Sequence, residues 1–275
     1  LAVVALLWWL NLGPEYPVEP RIPSARDIEE AKNVASSLPL EVVNIEGLFR
    51  ASNGVPSNLP GAWPRFRGAQ SDNICTDTVA LAESWPAEGP PVLWSVPLGD
   101  GYAGAAVLKG CIYLLDYDEK ERADTLRCLS LEDGREIWRR WYKVEIKRNH
   151  GMSRTVPAVT EKYTVTLGPR CHVLCVRSSD GSFLWGLDLA RDFGATVPLW
   201  YTGQCPLIDG TTAVLAPGGK CLLMGVDCET GKVLWETPNP HGWKMSHSSI
   251  IPFRVGDRRA YLYCAIGGMA AISAE

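Results

Sequence analysis

Apolar residues along this chain fall in short, β-rich runs broken by turn residues, and helical periodicity is weak outside residues 25–37. Three of the runs lead into the same kind of hexad. Leu126-Arg127-Cys128-Leu129-Ser130-Leu131 precedes Asp133-Gly134-Arg135-Glu136-Ile137-Trp138. Cys171-His172-Val173-Leu174-Cys175-Val176 precedes Asp180-Gly181-Ser182-Phe183-Leu184-Trp185, and Leu222-Leu223-Met224-Gly225-Val226-Asp227 precedes Thr230-Gly231-Lys232-Val233-Leu234-Trp235. Each pair reads as a hairpin, because Gly takes positive φ in the turn without steric cost. Three residues separate each Gly from its Trp, so a period of two puts every Trp on the same face of an equivalent strand. A large flat side chain repeated there would pack between neighbouring sheets. An earlier Pro91-Val92-Leu93-Trp94 is the same element without its turn. Trp94, Trp138, Trp185 and Trp235 are 44, 47 and 50 residues apart, a spacing that signals a propeller or solenoid.

Composition supports a folded, non-basic protein. The 275 residues are 46% hydrophobic and 21% charged, ample for a sizeable core. Trp is abundant (11) against Phe (5), as a Trp-based repeat requires, and 26 Gly with 20 Pro suit many short strands joined by turns. A net charge of −4 gives no footprint for nucleic acid, and none is expected as a partner. The nine cysteines are odd in number and lack short-spaced pairs, so no disulfide framework is expected. Cys171 and Cys175 share a strand face but lie about 13 Å apart, too far to bridge. No Cys-x2-Cys knuckle offers a zinc site, and no metal ligands are assigned. The thiols are expected as small buried hydrophobes.

Three segments follow one another along the chain. Residues 1–12 are almost wholly apolar but too few to span a bilayer, which needs about 20 residues. They read as the tail of a membrane anchor or signal segment, with Trp8 and Trp9 at an interfacial belt and no small-residue cleavage site after them. Residues 13–61 read as a linker. It has a stiff Pro-rich start, a short helix from Ser24 to about Ser37, and coil at Gly54, Pro56, Ser57 and Pro60. The folded domain is expected over 62–275, led in by Trp63-Pro64-Arg65-Phe66-Arg67-Gly68. Arg65 and Arg67 are expected to anchor that lead-in rather than bind an anion.

The lead-in, Ser84-Trp85-Pro86, Val92-Leu93-Trp94 and the [Asp/Thr]-Gly-x-x-x-Trp repeats together resemble the pyrroloquinoline-quinone (PQQ)-like repeat β-propellers. The match is closest to predicted secreted or membrane-anchored members common in planctomycete-type bacteria. That family includes quinoprotein alcohol dehydrogenases and BamB-type outer-membrane assembly factors. The resemblance implies an all-β propeller of four-stranded blades, innermost strand first and the Trp strand outermost. Seven or eight blades make up the family ring, and about four are expected in this chain, a fragment truncated at both ends. Blade one is placed at 103–108, 111–117, 125–131 and 136–142. Blade two is placed at 155–160, 163–167, 172–177 and 183–189, and blade three at 204–208, 213–216, 222–227 and 233–237. Blade four has 248–253, 260–264 and 270–273. Trp94 would sit on the outer strand of the last blade, and Gly134, Gly181 and Gly231 are the turn glycines.

In such a fold the innermost strands and the loops leading into them line the axis. Met152-Ser153-Arg154-Thr155 and Met245-Ser246-His247-Ser248 are near-copies, with Tyr201-Thr202-Gly203-Gln204 between them. Gly104, Thr155, Gln204 and Ser248 would form a polar or small column at the axis. Arg154 and His247 would sit one step before it, with His150, Trp200 and Lys244 in the same loops. Arg154, Lys244 and His247 together would attract an anion such as a carboxylate or a quinone.

The quinoprotein comparison implies a calcium held by Glu, Asn and Asp, an Asp base, an adjacent Cys-Cys pair and a Trp floor. This chain has no Cys-Cys pair, and no Glu or Asp lies on the innermost strands placed above. The expected function is therefore a non-catalytic binding or scaffold module of the cell envelope, with no catalytic residues and no cofactor. It would be membrane-anchored on the periplasmic side of the inner membrane, with envelope proteins as partners. The alternatives are a PQQ- and calcium-dependent oxidoreductase, and a binder of an anionic small molecule or sugar at the channel. The basic run Arg139-Arg140-Trp141-Tyr142-Lys143 is expected as a solvated outer strand. Ala216-Pro217-Gly218-Gly219-Lys220 joins two strands and opens no helix, so it is a turn rather than a phosphate loop.

Overall fold

A computed structural model describes residues 42–77, 80–146 and 152–274. The apolar segment 1–12 and the short helix expected near 24–37 lie outside the described residues. Those described are nearly all β. Sixteen strands form four antiparallel sheets in chain order, the first of five strands, the next two of four and the last of three.

Blade one contains β2 (Ala106–Leu108), β3 (Cys111–Asp118), β4 (Ala123–Ser130) and β5 (Glu136–Lys143). Blade two contains β6 (Ala158–Val159), β7 (Tyr163–Leu167), β8 (His172–Arg177) and β9 (Phe183–Asp188). A five-residue helix, α1 (Leu189–Phe193), follows; Asp188 caps it by accepting from the Arg191 N–H, and Gly194 closes it in the left-handed conformation. Blade three contains β10 (Leu207–Asp209), β11 (Thr212–Leu215), β12 (Cys221–Asp227) and β13 (Val233–Pro238). Blade four contains β14 (Ile251–Val255), β15 (Arg258–Ala265) and β16 (Gly268–Ser273). The first strands lie side by side, β6 next to both β2 and β10, so they face a common axis.

The repeat has a direct physical cause. Gly134, Gly181 and Gly231 all take positive φ, near 70°. A Cβ on each would fall 2.6–2.7 Å from the indole of the preceding repeat, Trp94, Trp138 or Trp185 respectively. Each Trp therefore caps the next blade's turn, and only a glycine leaves room for it. Opposite each Trp on the adjacent strand stands a small residue ten positions earlier: Cys128, Cys175 and Gly225. Two large apolar clusters fill the spaces between blades one and two and between blades two and three; a third lies between blades three and four.

Blade one has a strand that sequence reading missed. β1 (Leu48–Ala51) pairs antiparallel with β5, within the stretch expected to be linker. A charge row ties it in. Asp116 accepts from Arg127 at 3.0 Å, Arg127 donates to Glu136 at 3.1 Å, and Arg50 of β1 donates to Glu136 at 2.9 Å. Burial raises the Glu136 carboxyl, but Arg50, Arg139, Arg127 and Ser52 outweigh it and the net shift is downward. The solvated outer strand expected at 139–143 is corrected for the same reason. Arg140 is buried, its guanidinium donating to Gly181 O (2.9 Å) and Glu46 O (2.6 Å) between the rings of Phe49 and Phe183.

The innermost strands begin about three residues later than the sequence suggested, at 106, 158, 207 and 251. In blades two and three a side chain replaces the ladder there. Thr155 Oγ1 donates to Leu167 O at 2.7 Å. The Gln204 amide acts as a peptide surrogate, with Oε1 accepting from Ala216 N and Nε2 donating to Ala216 O, both at 3.3 Å.

Candidate functional site

The two ends of the axis are built differently. At the end carrying the turns that follow the first strands, the lead-in crosses three blades in three residues. Trp63 exchanges both backbone hydrogen bonds with Val107 of β2 (2.8 and 2.9 Å). Pro64 O accepts from Val159 N of β6 at 2.8 Å, and Arg65 Nη1 donates to Ile208 O of β10 at 3.1 Å. Arg65 also donates to Gly68 O and Ala69 O, so it anchors the lead-in as expected. Burial lowers its pKa, and Asp209 partly opposes that shift.

At the other end, the loops that lead into the first strands form a stair of contacts. Tyr102 N donates to Ser153 O at 2.7 Å. Val156 N donates to Cys205 Sγ at 3.2 Å, and Cys205 N donates to Ser249 Oγ at 3.0 Å. His247 sits 2.9 Å from Tyr201 O through Nε2, which therefore carries the proton, and its ring lies over Gly203. Met152 and Met245, the heads of the two near-copies, are both buried between blades.

The proposed axial residues separate into two groups. Thr155 and Gln204 are buried and their polar atoms serve the ladder, with Gln204 Nε2 also donating to Tyr263 OH at 3.0 Å. They do not present a free polar column to a ligand; the reason is that each takes the place of a backbone pair. Trp200 (43% exposed), Lys244, His247 and Ser248 face solvent, and Gly104 lies against Val156. Lys244 is held by its main chain, which pairs in both directions with Ile266 at 2.9–3.0 Å. Arg154 is half-buried, and burial lowers its pKa. His150 lies outside the described residues.

A buried polar seam beside these loops was not read from the sequence. Asp124 is fully enclosed, accepting from Ser153 Oγ at 2.5 Å and from Tyr142 OH at 2.8 Å. Burial pushes its carboxyl up to about 6, against the pull of those two hydroxyls and of His172. The Tyr142 ring meets His172 edge-on at 5.5 Å, and His172 Nε2 stands 3.7 Å from Asp188. Burial pushes Asp188 up, but His172 and the Arg191 N–H prevail and its net shift is down. The signal available in the sequence was Asp124, an acid inside the otherwise strand-like Ala123-Asp124-Thr125-Leu126.

The donor set can be tested against a quinone with calcium. Among the described residues, no three His, Cys, Asp or Glu side chains come together as a metal-ligand group. Asp124, a buried acid tied to an axial loop through Ser153, has both oxygens engaged by hydroxyls, and the buried axial Thr155 and Gln204 serve the ladder. These residues do not fit that cofactor, and no step through it is derived.

Comparison with known proteins agrees with the blade pattern. A family profile described as outer membrane protein assembly factor BamB matches residues 87–275. The chain is similar in structure to BamB from Moraxella catarrhalis (TM-score 0.46, 15% identity), covering 65% of this chain and 50% of that one. It is also similar to the quinohemoprotein alcohol dehydrogenase from Comamonas testosteroni (TM-score 0.45, 12% identity), covering 62% of this chain and 30% of that one. The chain thus spans half the length of that BamB and less than a third of that dehydrogenase. No curated protein matches it. With the profile spanning most of its length and its Trp-capped glycine turns repeating blade by blade, this chain belongs to the PQQ-like repeat β-propeller family of the outer membrane protein assembly factor BamB.

Proposed function

We propose that the chain is a non-catalytic binding scaffold of the cell envelope, working on the extracytoplasmic side with envelope proteins as partners. One observation carries this reading. The buried polar groups at the axis (Ser153, Thr155, Gln204) are engaged in bonds within and between blades rather than facing a ligand. The matched family is that of an assembly factor, which supports the same reading. Residues 1–12 would supply a membrane tether, with a linker shorter than 13–61 because β1 already belongs to blade one. No helix among the described residues is long and apolar enough to cross a membrane.

The quinoprotein alternative rests on the name of the similar dehydrogenase. The experiment that separates the two is a titration of the purified chain with pyrroloquinoline quinone and calcium, followed by dye-linked assays with primary alcohols and sugars. The scaffold reading expects no stoichiometric binding and no turnover. Saturable binding with dye reduction overturns it. When no binding is found, cross-linking in envelope fractions, followed by mass spectrometry, identifies the protein partners.

A second binding reading has a specific observation behind it. Arg154 is held half-buried at the same end of the axis as solvent-facing Lys244 and His247. An anionic small molecule or sugar acid would suit that end. Calorimetry with dicarboxylates, comparing the wild type with Lys244→Ala, tests it; equal heats in both discard it.

A further inference from the structure

The lead-in meets the blades at one repeated position, and blade four departs from the pattern. Ala106, Ala158, Leu207 and Ile251 pair across to Tyr113, Val165, Val214 and Leu262. Those pair on to Cys128, Cys175, Gly225 and Ala271, so the four first-strand residues are equivalent in register. One step along stand Val107, Val159, Ile208 and Pro252. At the first three the lead-in bonds to the main chain, Trp63 to Val107, Pro64 to Val159 and Arg65 to Ile208. Pro252 offers no N–H, and after Arg65 the lead-in turns back on itself, with Gly68 N donating to Arg65 O at 3.0 Å. A cavity of about 370 Å3 lies at this place, and Arg65, Asp209, Pro252, Arg254, Arg259 and Tyr261 line it.

The cavity lies between blades three and four. Pro252 stands directly opposite Tyr261, and Arg254 directly opposite Arg259. With a period of two, these four side chains share one face of blade four. That face meets blade three, because Tyr261 OH donates to Asp209 at 2.7 Å and its ring stacks on Trp235 with centroids 6.1 Å apart. Like charges directly opposite on neighbouring strands repel. Asp209 offsets one of them, since both its oxygens accept from Arg259 Nη2 at 2.5 and 2.6 Å. Arg254 Nη2 donates to a neutral group, Asp257 O, at 2.9 Å. Arg65 brings a third guanidinium, engaged by the carbonyls of Gly68, Ala69 and Ile208. Burial raises the Asp209 carboxyl, but Arg259, Tyr261 and Arg65 prevail and its net shift is down, so it counts as a full negative charge at neutral pH. Three guanidinium groups and one carboxylate among the described lining residues leave two positive charges around one cavity, in a chain whose net charge is −4.

We infer that this cavity binds a small phosphomonoester, its phosphate dianion held between Arg254 and Arg259 and its organic part against Pro252 and Leu207. A dianion matches the two uncompensated charges, and the planar fork of a guanidinium fits phosphate oxygens. A volume of about 370 Å3 stands at the small end of ligand pockets, roughly 300–1,000 Å3, which leaves room for a short organic group beside the phosphate. Arg65 keeps its anchoring bonds and supplies charge rather than contact. The site lies at the lead-in end of the axis, opposite the end that carries Arg154, Lys244 and His247.

Calorimetry on the purified chain at low ionic strength tests this, with glycerol phosphate, inorganic phosphate and succinate as probes. The expected result is one saturable site for both phosphates, with glycerol phosphate the tighter and succinate weaker by at least about tenfold. Arg254 is exposed, so Arg254→Gln keeps the fold, and it is expected to weaken phosphate binding by about tenfold or more. Asp209→Asn removes the carboxylate that competes for Arg259 and is expected to tighten binding several-fold, a gain that damage to the fold cannot produce. A wild type without saturable phosphate binding, equal affinity in Arg254→Gln, or succinate bound as tightly as the phosphates each overturn the inference.

Discussion

The unit of this fold is a pair of residues, a tryptophan and the glycine it caps one blade later. At Gly181 and Gly231 any side chain meets both a positive φ and an indole within 3 Å. Gly231→Ala is expected to cost on the order of 2–4 kcal/mol, read from urea denaturation, from strain and overpacking together. The tryptophans themselves are not equivalent. Trp185 Nε1 donates to Cys228 O, but the matching carbonyl for Trp138, Ser178 O, already accepts from Tyr113 OH at 3.1 Å. Trp138 Nε1 is buried without a partner among the described residues. Trp185→Phe should therefore lose about 1 kcal/mol more than Trp138→Phe. Asp124 carries a pH signature. Its carboxyl stands at about 6 in the fold, above the ordinary 3.8, so the folded chain holds that proton more tightly than the unfolded one. Its contribution to stability is full below 3.8 and is lost as pH rises through about 6. Glu136, Asp188 and Asp209, all shifted down, act in the opposite direction. Comparing urea midpoints of the wild type and Asp124→Asn across pH 4–6 isolates the term, and the variant should lack the loss. The glycine–tryptophan pairs were legible because they repeat in sequence. Asp124 was not, because its three partners come from β5, an axial loop and β8.

Among the elements, the strands were the most legible and their ends the least. Tyr163–Leu167 and His172–Arg177 match expectation residue for residue, since Gly168-Pro169 marks the turn between them and Ser178-Ser179-Asp180-Gly181 the turn that follows. In blades two and three the first strands were overrun by three residues because Thr155 and Gln204 bond as side chains where a strand would bond as backbone. β1 was missed for a different reason. Its four residues are all exposed, so no burial pattern marks them, and only pairing with β5 makes them a strand. Ser52 N donates to Ile137 O, so by alternation Arg50 also points its N–H at β5 while Phe49 points away. Arg50→Pro is expected to release β1 and raise hydrogen exchange at residues 47–54. Arg50→Ala, which keeps the ladder and loses only the half-exposed ion pair with Glu136, should raise it far less.

On the scale of the whole molecule, blades are joined at three levels: apolar clusters between sheets, Trp caps on the turns, and loop contacts at both ends of the axis. Arg65 links the lead-in to blade three while holding the lead-in's own turn. Arg65→Met should leave the blades intact and expose residues 63–73 to limited proteolysis. The thiols give a global check, because seven of the nine are buried and none is bonded to another. Only Cys75 and Cys264 should react with a thiol reagent in the native state, and all nine should react in denaturant. The recurring turns and the tryptophans could be read from the sequence. Those features depend on spacing along one chain, and a repeat states each of them several times. The roles of Thr155, Gln204, Arg140, β1 and the Asp124 seam were decided only in three dimensions. Each depends on a partner 12 to 94 residues away, and a polar side chain's duty is set by which carbonyl or hydroxyl the fold leaves beside it.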